Sequence, residues 1–266
     1  MNCLYNLKSN LVKFIDYIPN VSWVLRAKFN YLFGEKELSF IKKISPVMKG
    51  CISIDVGANT GVYTYYLSKY SKLVFSFEPL QILNAYWCSL EKNNIVHINS
   101  AVGDSFDDVI IHAPTEFGKV IHGIAKIGDV TSKGENCYKQ KIRQTKLDSL
   151  TDTFQLMGVK KVVVKIDVEG YEGRVLNGSR RLIELFSPVF LIEIEKRHND
   201  NCQGVFDSLY QCSYSSYIYK GGVLCEVDAS ECDVQFNNID SDDYINNFVF
   251  LQDNNKEHKN ILSLMT

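Results

Sequence analysis

The sequence predicts an α/β fold, with a mostly parallel sheet carrying helices on both faces. Three observations lead there. Short apolar runs alternate with helical patterns from residue 51 onward. The runs end in strand-stopping residues: Gly57, Glu78-Pro79, Gly103-Asp104 and Asp167. The chain has 266 residues, 45% hydrophobic and 23% charged, enough for one such domain with a sizeable core.

Residues 1–46 come first and are rich in lysine and aromatics, among them Phe14, Tyr17, Trp23, Phe29, Tyr31 and Phe33. Their mixed helical spacing predicts an N-terminal helical extension packing on the core; a membrane-surface or partner-binding segment is the alternative. Residues 47–255 make the main domain and 256–266 a C-terminal tail. Cys51 to Val56 reads as a buried strand, 60–70 as a helix capped by Thr60, and 73–77 as a second strand. A helix over 80–93 and a third strand over 96–102 follow. Residues 105–147 break the rhythm with alternating apolar and polar residues, which suggests antiparallel strands or a loop-rich insertion. The alternation resumes with a strand at 161–167, a helix at 171–186, a strand at 189–195 and a helix at 203–212. Two late strands, at 215–219 and 247–252, flank an acidic, Asn-rich loop.

In such sheets ligands bind beyond the carboxyl ends of the strands. That rule selects 55–61, 78–79, 103–104, 167–170 and 193–198. Asp55-Val-Gly57-Ala-Asn59-Thr60-Gly61 joins a strand to a helix, where glycine lets the backbone turn sharply against a ligand. The spacing is not the dinucleotide G-x-G-x-x-G, and a carboxylate at 55 would repel a diphosphate. It suits a ligand with an ammonium or sulfonium group, as in S-adenosyl-L-methionine. Glu78 lies about 20 positions after Gly57, where an acid accepts from ribose hydroxyls. Asp104 follows the third strand, as an acceptor for an adenine amino group or as a plain turn residue.

These motifs together resemble the FkbM family of S-adenosylmethionine-dependent methyltransferases. Ile54 to Gly61 is similar to its first motif, Phe77-Glu-Pro79 to its second-strand motif and Ala101-Val-Gly-Asp104 to its third. Lys146 to Leu150 is similar to the segment before its fourth strand. Lys165-Ile-Asp-Val-Glu-Gly-Tyr-Glu172 resembles its most specific signature, and Leu191 to Glu195 its fifth strand. The resemblance covers roughly residues 50–252. It implies O-methylation, often of glycans or natural-product precursors. It also implies a Rossmann-like, seven-stranded class I methyltransferase sheet with an antiparallel last strand. Residues 1–46 match no family motif. Where related sequences often end the fifth strand in Glu-x-His, here Glu193 precedes Glu195 and the histidine comes at 198.

Methyl transfer to an alcohol needs an aligned nucleophile and removal of its proton. Asp167 is the candidate base or orienting group, with contact to the cofactor amino group as the alternative. Glu169 shares that task or caps the following helix. Glu193 binds substrate or pairs with Lys165 or Arg197. His198 is a lesser candidate base, and His112 and His122 are candidates to line the acceptor pocket. Asp167, Glu169 and Glu193 carry oxygens of the kind Mg²⁺ prefers, yet carboxylates at strand ends have other uses and no metal is predicted. The candidate sites are therefore Asp167, Glu169 and Glu193 for catalysis, and Asp55, Gly57, Asn59, Gly61, Glu78 and Asp104 for the cofactor.

Composition narrows the partners. A net charge of −2 gives no broad drive toward nucleic acid; the family resemblance implies a carbohydrate or small-molecule acceptor. A nicotinamide dehydrogenase is disfavoured by the glycine spacing, and a non-catalytic cofactor-binding scaffold of a glycan-assembly complex is the other reading. The eight cysteines form no C-x-x-C pair, and neither a secretory h-region nor a membrane-spanning run is seen. A reduced, cytoplasmic protein is expected, with peripheral membrane contact left open and the oligomeric state unassigned.

Overall fold

The computed structural model describes residues 19–33, 37–90, 92–128, 137–234 and 244–265. Cys3, Phe14, Tyr17 and the side chain of Phe33 lie outside them.

The main sheet takes β1 (Ile52–Val56), β2 (Leu73–Phe77), β3 (Ile95–Ile98), β9 (Val162–Ile166), β10 (Val189–Glu193), β11 (Tyr214–Lys220), β12 (Val223–Val227) and β13 (Asn247–Gln252). Their order is β12-β11-β13-β10-β9-β1-β2-β3. β3, β2, β1, β9 and β10 run parallel. β13 is antiparallel to β10, and β11 pairs antiparallel with both β13 and β12. The last strand in the chain is thus antiparallel to its parallel neighbour, as expected. The count differs: eight strands instead of seven. The extra one is β12, in a stretch expected to be loop. Gly221 and Gly222 both have positive φ and close a two-residue hairpin, which folds Val223–Val227 back onto β11.

Of the two readings of residues 105–147, antiparallel strands or a loop-rich insertion, the described part takes the first. β5 (Asp108–Glu116) pairs with β8 (Cys137–Thr145) over a long register, with β6 (Lys119–Val120) and β7 (Lys126–Ile127) also on β5. β4 (Ala101–Val102) pairs parallel with β8. The strand expected over 96–102 is therefore two strands in two sheets. The break is Asn99-Ser100: Asn99 Nδ2 donates to Glu78 O, and Ser100 Oγ donates to Arg143 O.

The helices are α1 (Pro19–Phe33), α2 (Glu37–Lys43), α3 (Ser45–Met48), α4 (Val62–Tyr70), α5 (Asn84–Cys88), α6 (Thr151–Leu156), α7 (Glu172–Asn177), α8 (Arg180–Phe186), α9 (Cys202–Tyr210), α10 (Glu231–Val234) and α11 (Lys256–Ser263). The helix expected over 171–186 divides at Gly178, whose carbonyl accepts from Asp148 N–H instead of continuing the helix. Strand pleating sorts the core onto two faces. Ile52, Ile54 and Val56 pack with Phe154, Val175, Leu182 and Phe206 under α6 to α9. Cys51, Val163, Leu191 and Val249 pack with Trp23, Phe40, Tyr66 and Ile261 under α1 to α4 and α11. Helices therefore cover both faces, and the carboxyl edge of the parallel strands stays open for a site.

Candidate active site

A cavity of about 280 Å³ lies at that edge. The ends of β1, β2, β9 and β10 form its floor, and His122, Gly123, Ala125 and Ile127 of the insertion wall it. Ligands bind in this position in open α/β sheets.

One end is built on the β1 turn. Gly57 has φ +80°, and a Cβ there would lie 1.8 Å from the Asp167 carbonyl oxygen; only glycine allows β1 and β9 to end this close together. Asn59, also left-handed at φ +48°, donates its backbone N–H to Glu78 Oε2 at 2.7 Å. Leu80 N–H donates to Glu78 Oε1 at 2.8 Å. Glu78 is only 4% exposed, and burial pushes its carboxyl up to about 7. The Oδ1 of Asn59 is buried and has no hydrogen-bond partner among the described residues, an acceptor left over at the cavity wall. Leu80, Ala101, Val102 and Ile111 supply an apolar slot beside it.

Three residues expected to touch the cofactor lie elsewhere. Asp55 is 1% exposed and absent from the cavity lining. It shares a face with Ser53, under α4, and accepts from Thr64 Oγ1; burial pushes it up to about 6. Gly61 does not line the cavity either. It sits against Trp23 and Trp87, and its carbonyl accepts from Trp23 Nε1 at 2.7 Å. Asp104 is drawn to Arg174 on α7, which donates to its Oδ2 at 2.9 Å, and it too is absent from the lining.

The other end holds the three carboxylates. Asp167, Glu169 and Glu193 all line the cavity. Glu193 Oε1 accepts from Asn246 Nδ2 at 2.6 Å. Glu169 pairs with His198 and does not cap the next helix. That helix has no side-chain cap; Glu172, its first residue, accepts from Gly170 N–H at Oε1 and from Asn199 Nδ2 at Oε2. Arg197 pairs with Glu195, so of the two cations considered for Glu193 it is Lys165 that approaches, at 3.8 Å. Among the histidines His122 lines the cavity, whereas His112 is buried in β5, 4.0 Å from Cys137 Sγ.

Lys165 is the residue whose weight the sequence understated. Its side chain is 2% exposed. Its ammonium donates to Asn247 Oδ1 at 2.8 Å and lies 3.9 Å from Asp167 Oδ2 and 4.7 Å from the centre of the Tyr63 ring. A cation inside Val-Val-Val-Lys-Ile was the available signal, since a charge in a buried strand needs partners. Among the described residues no three His, Cys, Asp or Glu side chains converge to hold a metal; the cation between Asp167 and Glu193 is the lysine itself.

The model of the methyltransferase FkbM domain matches residues 55–256, most of the chain. The chain belongs to the FkbM methyltransferase family. S-adenosylmethionine is the methyl donor that the sequence motifs lead one to expect of it. The FkbM methyltransferase of Methylobacillus flagellatus is similar at 15% identity and a TM-score of 0.42, with 90% of this chain and 57% of that one covered. This chain thus spans little more than half of that relative's length. An rRNA methylase of Streptococcus thermophilus overlaps at 10% identity and TM-score 0.42, covering 80% and 93%. A SAM-dependent O-methyltransferase of Thermotoga maritima overlaps at 13% and 0.36, covering 81% and 63%. These are distant overlaps, and the fold rests on the strand order and the family match. No protein of curated function matches the chain.

The residues of this FkbM domain fit the cofactor. The buried Glu78 carboxylate suits ribose hydroxyl donors, the orphan Asn59 Oδ1 suits one more donor, and the slot between Leu80 and Ile111 suits an adenine ring.

Proposed function

We propose that this FkbM-family protein is an O-methyltransferase acting on a sugar hydroxyl of a glycan, glycolipid or related precursor. One observation carries the reading: a single cavity has a nucleoside-type end at Asn59–Glu78 and a carboxylate end at Asp167–Glu193.

S-adenosylmethionine, when bound, supplies a methyl carbon activated by a sulfonium leaving group. The protein's work is to hold the acceptor in line and take its proton. Asp167, at the end of β9 beside the Gly57 turn, would accept the proton of the acceptor hydroxyl as the methyl group is taken up, and would hold that proton until solvent removes it. Glu193 accepts from a neighbouring acceptor hydroxyl and fixes the ring. Glu169, held by His198, limits the cavity on the third side. Lys165 is a positioning residue: it does not line the cavity and acts through Asp167 and Glu193.

A net charge of −2 supports a carbohydrate acceptor over nucleic acid. The described cysteines are all free, which supports a reducing, cytoplasmic setting. The test is transfer of an isotope-labelled methyl group to isolated cell glycans, read by mass spectrometry. Asp167→Asn should lower kcat by about 10²–10⁴-fold with S-adenosylhomocysteine affinity within a few-fold of wild type. Full activity in that variant, or label found only on nucleic acid, contradicts the reading.

A further inference from the structure

We infer that Asn246, immediately before β13, is a positioning residue that holds Glu193 as a charged hydroxyl acceptor and leaves the base role to Asp167. The inference rests on the function proposed above and deepens it, dividing the work between two carboxylates of the cavity.

The placement follows from β10 and β13. Ile194, just past β10, is fully buried in the core, with Glu193 and Glu195 on either side of it. Ile194 N–H donates to the Asn246 carbonyl at 2.7 Å, which fixes the Asn246 backbone between the two acids. Its Nδ2 donates to Glu193 Oε1 at 2.6 Å and to Glu195 Oε1 at 3.0 Å, one N–H for each. Two carboxylates this close repel, and the shared amide nitrogen is the donor that lets both stay charged. Asn246 is absent from the cavity lining, so it acts through Glu193.

The donors and acceptors along this chain have one consistent assignment. The Lys165 ammonium can only donate, and Asn247 Oδ1 accepts from it at 2.8 Å. Asn247 therefore presents its Nδ2, which donates to Asn246 Oδ1 at 3.2 Å. That commits Asn246 Nδ2 to the carboxylates. Burial alone would raise the Glu195 carboxyl, but hydrogen bonds from Arg197 and Asn246 hold it below its ordinary value, so Asn246 meets a charged acid on that side. On the other side Glu193 has the Asn246 donor on Oε1 and the Lys165 ammonium 3.8 Å from Oε2. Both favour its charged form. Asp167 has the same ammonium at 3.9 Å but no hydrogen-bond donor on its carboxylate among the described residues. The acceptor proton therefore goes to Asp167, and Glu193 keeps its charge for a neighbouring hydroxyl. The charged and titratable groups facing this network are Lys165 and Asp167 from β9, Arg197 and His198 beyond β10, and Tyr244 before β13.

The test uses full-length protein with glutamate carboxyls labelled with ¹³C, the Glu193 signal being assigned with Glu193→Gln. In Asn246→Leu, close to asparagine in shape but with no donor, Glu193 should titrate about one pH unit higher than in wild type. Asn246→Asp, which removes both N–H groups and adds a charge, should raise it at least as much and serves if Asn246→Leu does not fold. Calorimetry should find S-adenosylhomocysteine affinity within twofold of wild type in Asn246→Leu. In labelled methyl transfer to isolated cell glycans, that variant should raise the apparent glycan KM at least tenfold with the S-adenosylmethionine KM within twofold. The inference is overturned if Glu193 titrates as in wild type in a folded variant, or if the glycan KM is unchanged in Asn246→Leu. A wild type that transfers no methyl group to glycans would instead count against the function reading, with the Glu193 titration still scored on its own.

Discussion

The backbone N–H of Asn59 donates to Glu78 Oε2 at 2.7 Å, so the turn after β1 and the tip of β2 are fixed to each other before any ligand arrives. That bond, with the one from Leu80, leaves each carboxylate oxygen a free direction toward the cavity. The end of the cavity proposed for the nucleoside is thereby pre-organised.

Burial holds the Glu78 carboxyl at about 7. Ribose hydroxyls donating to it favour the charged form, so its value must fall on binding and a proton is released. Affinity for S-adenosylhomocysteine is expected to rise with pH up to about 7 and level off above. Glu78→Gln sets an amide NH₂ against one of the two N–H donors; it should bind weakly at every pH and lose the slope. Calorimetry between pH 5.5 and 8 reads both effects. The same raised value works against the folded state. The folded protein keeps a proton that the unfolded chain loses near 4.5, so this group's contribution to stability falls as pH rises from there to about 7.

Lys165→Met removes the buried ammonium between Asp167 and Glu193. The expected cost is about 3 kcal/mol in chemical denaturation, because the carboxylates lose their compensating charge. Lys165 does not line the cavity, so S-adenosylhomocysteine affinity should stay within a few-fold of wild type while kcat falls at least tenfold. Unchanged kcat would remove Lys165 from its positioning role.

Gly57→Ala places a methyl group into the Asp167 carbonyl at 1.8 Å and forces a left-handed residue to carry a Cβ. The ends of β1 and β9 must part. A loss of roughly 1–3 kcal/mol is expected in urea melts, together with loss of S-adenosylhomocysteine binding. The same substitution at Gly158, with nothing within 4 Å of its added Cβ, should leave binding intact.

EDTA should leave methyl transfer unchanged. Asp167 and Glu193 already share a cation, the ammonium of Lys165, and a divalent ion would have to displace it. An activity lost to EDTA and restored by Mg²⁺ would show that the lysine moves aside.

Much of this was legible in the sequence. Apolar runs closed by Gly57, Glu78-Pro79 and Asp167 marked three strand ends correctly, because a buried parallel strand is an unbroken apolar run and its end is where polar residues resume. Those strand ends place Gly57, Asn59, Glu78 and the Asp167–Glu169–Glu193 trio around one cavity. Position in the motif points Asp55 at the ligand, whereas strand alternation puts it on the face of Cys51 and Ser53, beneath α4, where the structure has it. Asp104 was not readable, because its partner Arg174 arrives from 70 residues away. β12 was missed for want of an apolar run, and only the Gly221-Gly222 pair hinted at the hairpin. The break at Gly178 depends on a carbonyl diverted to Asp148, a tertiary contact no helical period records.

The most direct measurement is calorimetric titration of wild type and Glu78→Ala with S-adenosylhomocysteine at pH 8. Wild type should bind one equivalent, and Glu78→Ala should lose at least two orders of magnitude in affinity while keeping the wild-type fold by circular dichroism. A folded Glu78→Ala that binds as tightly as wild type would place the cofactor somewhere other than the Asn59–Glu78 end of the cavity.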